Sequence, residues 1–163
     1  MAAFAYLPSP LGLLEIVCSD RGISEVNFVN EVRHEETADP PEILTKCKTQ
    51  LKEYFAGKRK QFSVKLDLSR GTEFYREVWR LVQAIPYGRT RCYSKIAENL
   101  GRPNASRAVG LANGRNPLPI LVPCHRVIGK NGSLTGYAYG LEMKEALLAI
   151  ENPRRFAHQV ALW

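Results

Sequence analysis

The chain has no apolar run of about 18 residues or more, which excludes a membrane-spanning helix of the usual length. Its first stretch, Met1 to Ser9, lacks a basic region followed by an apolar core, so no secretory signal is expected. Four cysteines are present, Cys18, Cys47, Cys92 and Cys124, and none forms a Cys-x-x-Cys pair. Disulfides and a structural zinc are therefore disfavoured, and a cytoplasmic location is expected. A scattered set of Cys18, Cys47 and His34 has no supporting spacing, so no metal is expected. Internal repeats and low-complexity tracts are also missing.

The 163 residues that are present suffice for one ordinary domain or two small ones. Hydrophobic residues make up 45% and charged residues 24%, as in an ordinary folded protein rather than a disordered one. The formal charge of +7 is unevenly placed. Residues 1–70 hold ten Lys and Arg against ten Asp and Glu; residues 71–163 hold thirteen against six. The whole excess thus lies in the C-terminal part. That fits a polyanionic partner, nucleic acid first, or a plain solubility surplus.

Residues 4–17 and 23–29, joined by the turn signal Asp20-Arg21-Gly22, read as a β-hairpin. The acidic stretch 31–41 ends in Pro40-Pro41 and reads as a loop. Residues 42–56 place Leu44, Cys47, Leu51, Tyr54 and Phe55 at helical spacing, and Gly57 stops them. Phe62, Val64, Leu66 and Leu68 alternate, which predicts another strand. A boundary near Ser69-Arg70-Gly71 divides an α/β domain, 1–70, from a mostly helical domain, 71–163.

In the second domain Thr72 is expected to cap a helix lined by Phe74, Val78, Leu81, Val82 and Ile85. Ser94 is expected to cap a short helix ended by Gly101, and Asn104 a third from Ala105 to about Asn113. Two short helices joined by Gly101-Arg102-Pro103 make a helix-turn-helix pattern. Leu141–Ile150 reads as a last amphipathic helix, and the tail 152–163 ends in Trp163.

The chemistry concentrates in Pro119-Ile120-Leu121-Val122-Pro123-Cys124-His125-Arg126-Val127. A thiolate is the reactive form of cysteine, and a neighbouring cation lowers its pKa, so Cys124 beside Arg126 reads as an activated thiol. The plainer reading is a buried, inert cysteine. The glycines Gly129, Gly132 and Gly136 follow, in a polar segment with room for a substrate. Adjacent side chains rarely bond each other, so His125 would reach Cys124 through a water. A catalytic histidine needs a third group to fix its tautomer. Glu151 is the candidate, because a carboxylate closing an apolar helix face is costly without a partner. The third helix has small residues and one long cation, Arg107, which suits either tight packing or close approach to a DNA minor groove.

The ordered motifs Ile85-Pro86-Tyr87-Gly88, Tyr93-Ser94-x-Ile96-Ala97, Ser106-Arg107-Ala108-Val109-Gly110, Asn116-Pro117-Leu118-Pro119-Ile120, Pro123-Cys124-His125-Arg126-Val127 and Gly140-Leu141-x-x-Lys144 closely resemble the O6-alkylguanine-DNA alkyltransferases. Residues 1–70 match that family only loosely. The resemblance implies a ribonuclease H-like α/β domain followed by a winged helix-turn-helix domain. It implies a monomer without cofactor, binding double-stranded DNA that contains O6-alkylguanine and flipping the damaged base.

In these roles Cys124 is the alkyl acceptor, with Glu151, His125 and a water as its proton relay. By the same resemblance Asn116 would brace the hinge behind it, and Tyr93 would turn the 3′ phosphate and give the leaving guanine its proton. Arg107 would replace the flipped base, and Ser94, Ala105, Ser106, Ala108, Gly110 and Arg115 would complete the DNA contact. Pro119, Val127, Ser133, Tyr137, Ala138, Tyr139 and Lys144 are assigned to the pocket. The implied reaction is a single methyl transfer, chiefly from O6-methylguanine and more weakly from O4-methylthymine. Tyr139 stands where the family usually has glycine, which is expected to restrict bulky adducts. The competing readings are a non-enzymatic lesion binder, which lacks the cysteine, and a cysteine hydrolase.

Overall fold

The computed structural model describes residues 2–156, which form two compact units, one ending at Arg70 and the other starting at Gly71. Trp163 and its neighbours from 157 onward lie outside the described residues.

The N-terminal unit is a three-stranded antiparallel sheet of β1 (Ala3–Ser9), β2 (Gly12–Ser19) and β3 (Gly22–Val29), with helix α1 (Glu42–Phe55) packed on it. The first arm of the expected hairpin is itself folded in two, because Pro10-Leu11 turns the chain between Ser9 and Gly12. Alternation along β2 sends Leu14 and Ile16 to one face, and the register shift in the β2–β3 pair lets Ile23 join Val26 there, against Leu44, Cys47, Leu51 and Tyr54, all fully buried.

The expected strand over 62–68 does not form. It makes a single parallel bridge, Ile23 to Leu66. Gln50 of α1 takes the place of a neighbouring strand: its Oε1 accepts from Ser63 N at 3.0 Å and its Nε2 donates to Ser63 Oγ at 2.8 Å. Gly22 permits the one close approach. Its φ is +144°, and a Cβ there would lie 2.6 Å from the Lys65 carbonyl oxygen.

The C-terminal unit holds α2 (Glu73–Gln83), β4 (Arg91–Cys92), α3 (Tyr93–Asn99), α4 (Ser106–Gly114), β5 (Val127–Ile128) and α5 (Leu141–Glu151). The β4 and β5 strands form a short parallel pair. Thr72 caps α2, its Oγ1 accepting from Tyr75 N at 3.1 Å. The other two expected caps are not used. Helix α3 begins one residue before Ser94, whose hydroxyl lies 3.2 Å from Cys92 Sγ instead. Asn104 sits in the turn closed by Ala105 N to Arg102 O at 2.9 Å, so α4 starts at Ser106 without a side-chain cap.

Helices α2, α3 and α4 pack together through Val78, Val82, Ile96, Ala97 and Val109. Trp79 Nε1 donates to the Ala112 carbonyl at 2.8 Å, which fixes the C-terminal turn of α4. Gly71 makes room for that indole, since a Cβ would fall 2.3 Å from the ring.

Candidate active site

The site is built from the loop that follows α4. Asn116 holds both ends of a tight turn there: Oδ1 accepts from Leu118 N at 2.9 Å and Nδ2 donates to Val122 O at 2.8 Å. Ile120 lies within this turn at φ +74°, a left-handed conformation that is costly for a β-branched residue. Val122 N closes the turn on Leu118 O at 2.8 Å. The strained loop delivers the chain into a single 3-10 turn, Cys124–Arg126, that presents the cysteine.

Cys124 is 6% exposed and lines a pocket of ≈170 Å³. Tyr93, Gly110, Asn113, Asn116, Pro119, Tyr137, Ala138 and Tyr139 line it too. Burial pushes the Cys124 thiol up; Asn116, Tyr137 and the Lys144 charge oppose that rise. The cation that acts on the thiol is thus Lys144 and not Arg126. The guanidinium of Arg126 is turned away, onto Glu151 and the Ile85 carbonyl.

Glu151 organises the layer behind the cysteine. Its Oε2 lies 2.6 Å from His125 Nε2. Arg126 Nε donates to Oε1 at 2.7 Å and another guanidinium nitrogen donates to Oε2 at 3.0 Å. Gly88 N also reaches Oε1, at 3.4 Å. Burial alone would raise the carboxyl; His125 and Arg126 outweigh it and hold Glu151 well below the usual carboxylate range. For His125 burial outweighs the same partner and lowers its pKa, which favours the neutral ring. Within that pair the carboxylate fixes the tautomer: Nε2 carries the proton, and Nδ1 is the basic nitrogen. His125 Nδ1 is buried and has no hydrogen-bond partner among the described residues.

Lys144 is fully buried, and burial draws its pKa down to about 8. Its Nζ donates to the carbonyls of Thr135 at 2.9 Å and Gly136 at 3.1 Å. Tyr93 Oη donates to the same Thr135 carbonyl at 3.1 Å. One pocket wall is therefore tied to α3 on one side and to α5 on the other. Of the expected pocket residues, Pro119, Tyr137, Ala138 and Tyr139 line the cavity, whereas Val127, Ser133 and Lys144 do not. Val127 is buried in β5, Lys144 supports the wall from behind, and Ser133 closes a turn by bonding Lys130. The same turn, with Gly129 N bonded to Ser133 O at 2.8 Å, takes Gly129 and Gly132 out of the pocket; Gly136 stays.

Around the pocket mouth, Tyr93, Ser106, Arg107, Gly110, Thr135 and Gly136 line a shallow depression. Arg107, Ala108 and Leu111 are exposed on α4, as is its C-cap Arg115, and Leu111 is 53% exposed, a large apolar surface. Ala105 precedes the helix as its N-cap. Sequence reasoning passed over Asn113, which is buried in the pocket wall and whose Nδ2 donates to the Cys124 carbonyl at 3.2 Å. Its place one turn from Gly110 on the inner side of α4 was the available signal. It also passed over the tie between Arg126 and Glu151.

Residues 73–153 match the model of the 6-O-methylguanine DNA methyltransferase DNA-binding domain, and residues 3–68 match that of its ribonuclease-like domain. A methylated-DNA–protein-cysteine methyltransferase of Methanosarcina acetivorans is 49% identical over 91% of this chain and 97% of its own. A namesake from Mycolicibacterium paratuberculosis is 47% identical, covering 93% of each. The Mycobacterium tuberculosis OGT crystallised with DNA is 44% identical with a TM-score of 0.83, covering 93% of this chain and 94% of that one. With both family models matched and such identity across nearly its full length, the chain belongs to the 6-O-methylguanine DNA methyltransferase family.

Proposed function

We propose that this protein repairs DNA by moving an alkyl group, chiefly methyl, from O6 of guanine to Cys124. The observation that carries this reading is a pocket-lining cysteine backed by a buried His125–Glu151 pair, 2.6 Å apart. In the transfer the Cys124 thiol proton passes through a water to His125 Nδ1, and Glu151 stabilises the imidazolium. The thiolate attacks the O6-bound carbon; the C–S bond forms as the C–O bond breaks. The electron pair stays on the guanine, which takes a proton from Tyr93 once that hydroxyl leaves the Thr135 carbonyl. The product is a thioether, which no group in the pocket hydrolyses, so each molecule acts once.

The partner is double-stranded DNA, met by α4. Its small residues Ala108 and Gly110 allow close approach to the minor groove, and Ala105 and Ser106 open the same face. Arg107 fills the gap left by the flipped base, while Ser94 and Arg115 contact phosphates. Supporting this, the relative of known structure at 44% identity was crystallised with DNA. O4-methylthymine is a weaker substrate, and Tyr139 at the pocket wall limits adduct size. The protein works as a monomer, since every site residue comes from residues 71–163. It works in the cytoplasm, where its four free thiols stay reduced.

Incubation with duplex DNA carrying O6-methylguanine should add one methyl mass to the peptide holding Cys124, with the lesion consumed in equal amount. An unmodified Cys124 beside an intact lesion refutes the reading.

A further inference from the structure

We infer that Leu111 is an apolar prop in the DNA minor groove, packed on its sugar wall one helical turn behind Arg107. This rests on the alkyl-transfer reading above, which brings α4 to double-stranded DNA, and adds to it a contact that works without charge. Leu111 is 53% exposed, whereas Val109 and Ala112 on the same helix are fully buried. A single exposed leucine is ordinary on a protein surface, so exposure alone names no partner. The residues around it name one.

Arg107, Leu111 and Arg115 stand four residues apart, with about 6 Å of helical rise at each step, so they share one side of α4. Ala108 and Gly114 are exposed beside them and are small. The outer face is thus one large apolar group between two guanidiniums. No Asp or Glu stands anywhere from Asn99 to Leu141, a stretch that takes in the whole helix and both of its flanks. A cationic face without a carboxylate suits a polyanion. At the first end of the stripe, Arg107 and Gly110 line the depression at the mouth of the cysteine pocket. A duplex that sends a base into that pocket must run along this face.

The minor groove offers the matching surface. It is about 6 Å wide, its walls are deoxyribose carbons and its rims are phosphates. The phosphates suit the arginines and the sugars suit the leucine. Leucine has neither donor nor acceptor, so it reads no base. It holds the groove open, as apolar side chains of minor-groove proteins do.

The test is the salt dependence of affinity. Full-chain Cys124→Ser protein, in which the acceptor thiol is replaced, is titrated with a fluorescent duplex carrying O6-methylguanine at several salt concentrations. Leu111→Ala in that background should weaken binding about five-fold at every salt concentration, the scale of leaving half a leucine side chain in water. The slope of log K against log salt should not change, because a leucine releases no counterions. Arg115→Ala should instead make that slope shallower by about 1. Alanine at this exposed helical position should leave the fold intact.

Equal affinity of Leu111→Ala and its parent overturns the inference. A loss of affinity that comes with a changed slope overturns it as well, since the missing contact would then be one of charge. So does a dimer that forms without DNA and dissociates in Leu111→Ala, which sedimentation would detect and which would give this face to a second copy. A parent protein that does not bind the duplex, or a wild-type chain that takes no methyl group from it, would instead refute the alkyl-transfer function itself.

Discussion

Each unit of this protein buries a glutamate against an arginine, and only one of the two lies behind a cysteine that lines a pocket. Glu15, 1% exposed in β2, accepts from Arg33, from Tyr6 Oη at 2.6 Å and from Asn27 Nδ2 at 3.1 Å. Glu151, 7% exposed in α5, holds Arg126 and His125. Both carboxyls are held below the usual range, so a depressed carboxylate does not by itself mark a site. What differs is the partner. Arginine, tyrosine and asparagine around Glu15 are fixed donors that do not change charge near neutral pH. The histidine on Glu151 has a second nitrogen, and it is the residue next to a cysteine that lines a pocket. The N-terminal cluster is a tie between β2 and the loop after β3; the C-terminal one is a tie with a reactive end.

The comparison is broken most forcefully by Glu151→Gln. It leaves Arg126 buried with a weakened partner, which costs about 3–5 kcal/mol of stability. It also removes the charge that supports the imidazolium, so alkyl transfer should fall by about 10²-fold or more, read as single-turnover rate on folded protein. A rate within error of wild type would place the base elsewhere.

Glu15→Gln should lower stability by about 2 kcal/mol in urea unfolding and leave the transfer rate of the folded protein unchanged. Its pH signature has a definite sign. Burial raises the Glu15 carboxyl, but Arg33, Tyr6 and Asn27 outweigh it and set it at about 2, against 4.5 unperturbed. A depressed folded-state pKa stabilises above the unfolded value, and this contribution is lost as pH falls from about 4.5 toward 2. Glu15→Gln should flatten the stability curve in that window. A transfer rate that fell with it would give the N-terminal cluster a part in the chemistry.

The Glu151 cluster lies behind a pocket whose mouth is lined by Arg107. Arg107→Ala should slow repair of duplex DNA by about ten-fold, a part of the few kcal/mol that unstacking costs, and spare reaction with a free alkylated base. Equal effects on both would deny it the stacking role. The smallest change is expected at the rim, where Tyr139 is 37% exposed and meets Tyr137 edge-on. Tyr139→Gly should speed reaction with O6-benzylguanine several-fold and leave O6-methylguanine nearly unaffected; an unchanged benzyl rate would remove the size gate.

The sequence alone determined the elements whose cause is local. Apolar spacing marks α1, α2 and α5, Thr72 caps α2, and the Pro-Cys-His-Arg motif marks the cysteine that lines the pocket. Even the link from His125 to Glu151, 26 residues apart, was legible, because a carboxylate on an apolar helix face calls for a partner. Tertiary structure decided what depends on which group arrives first at a backbone or a charge. Gln50 holds Ser63 by its backbone N and its hydroxyl, and the segment 62–68 pairs with β3 only at Leu66. Arg126, two residues from Cys124 in sequence, is claimed by Glu151, and the cation that opposes the rise of the thiol is Lys144, twenty residues on. Neighbours along the chain point to different sides of a tight turn, and only packing brings a distant helix over it. Spacing could name the thiol at Cys124; the fold alone chose the charge that tunes it.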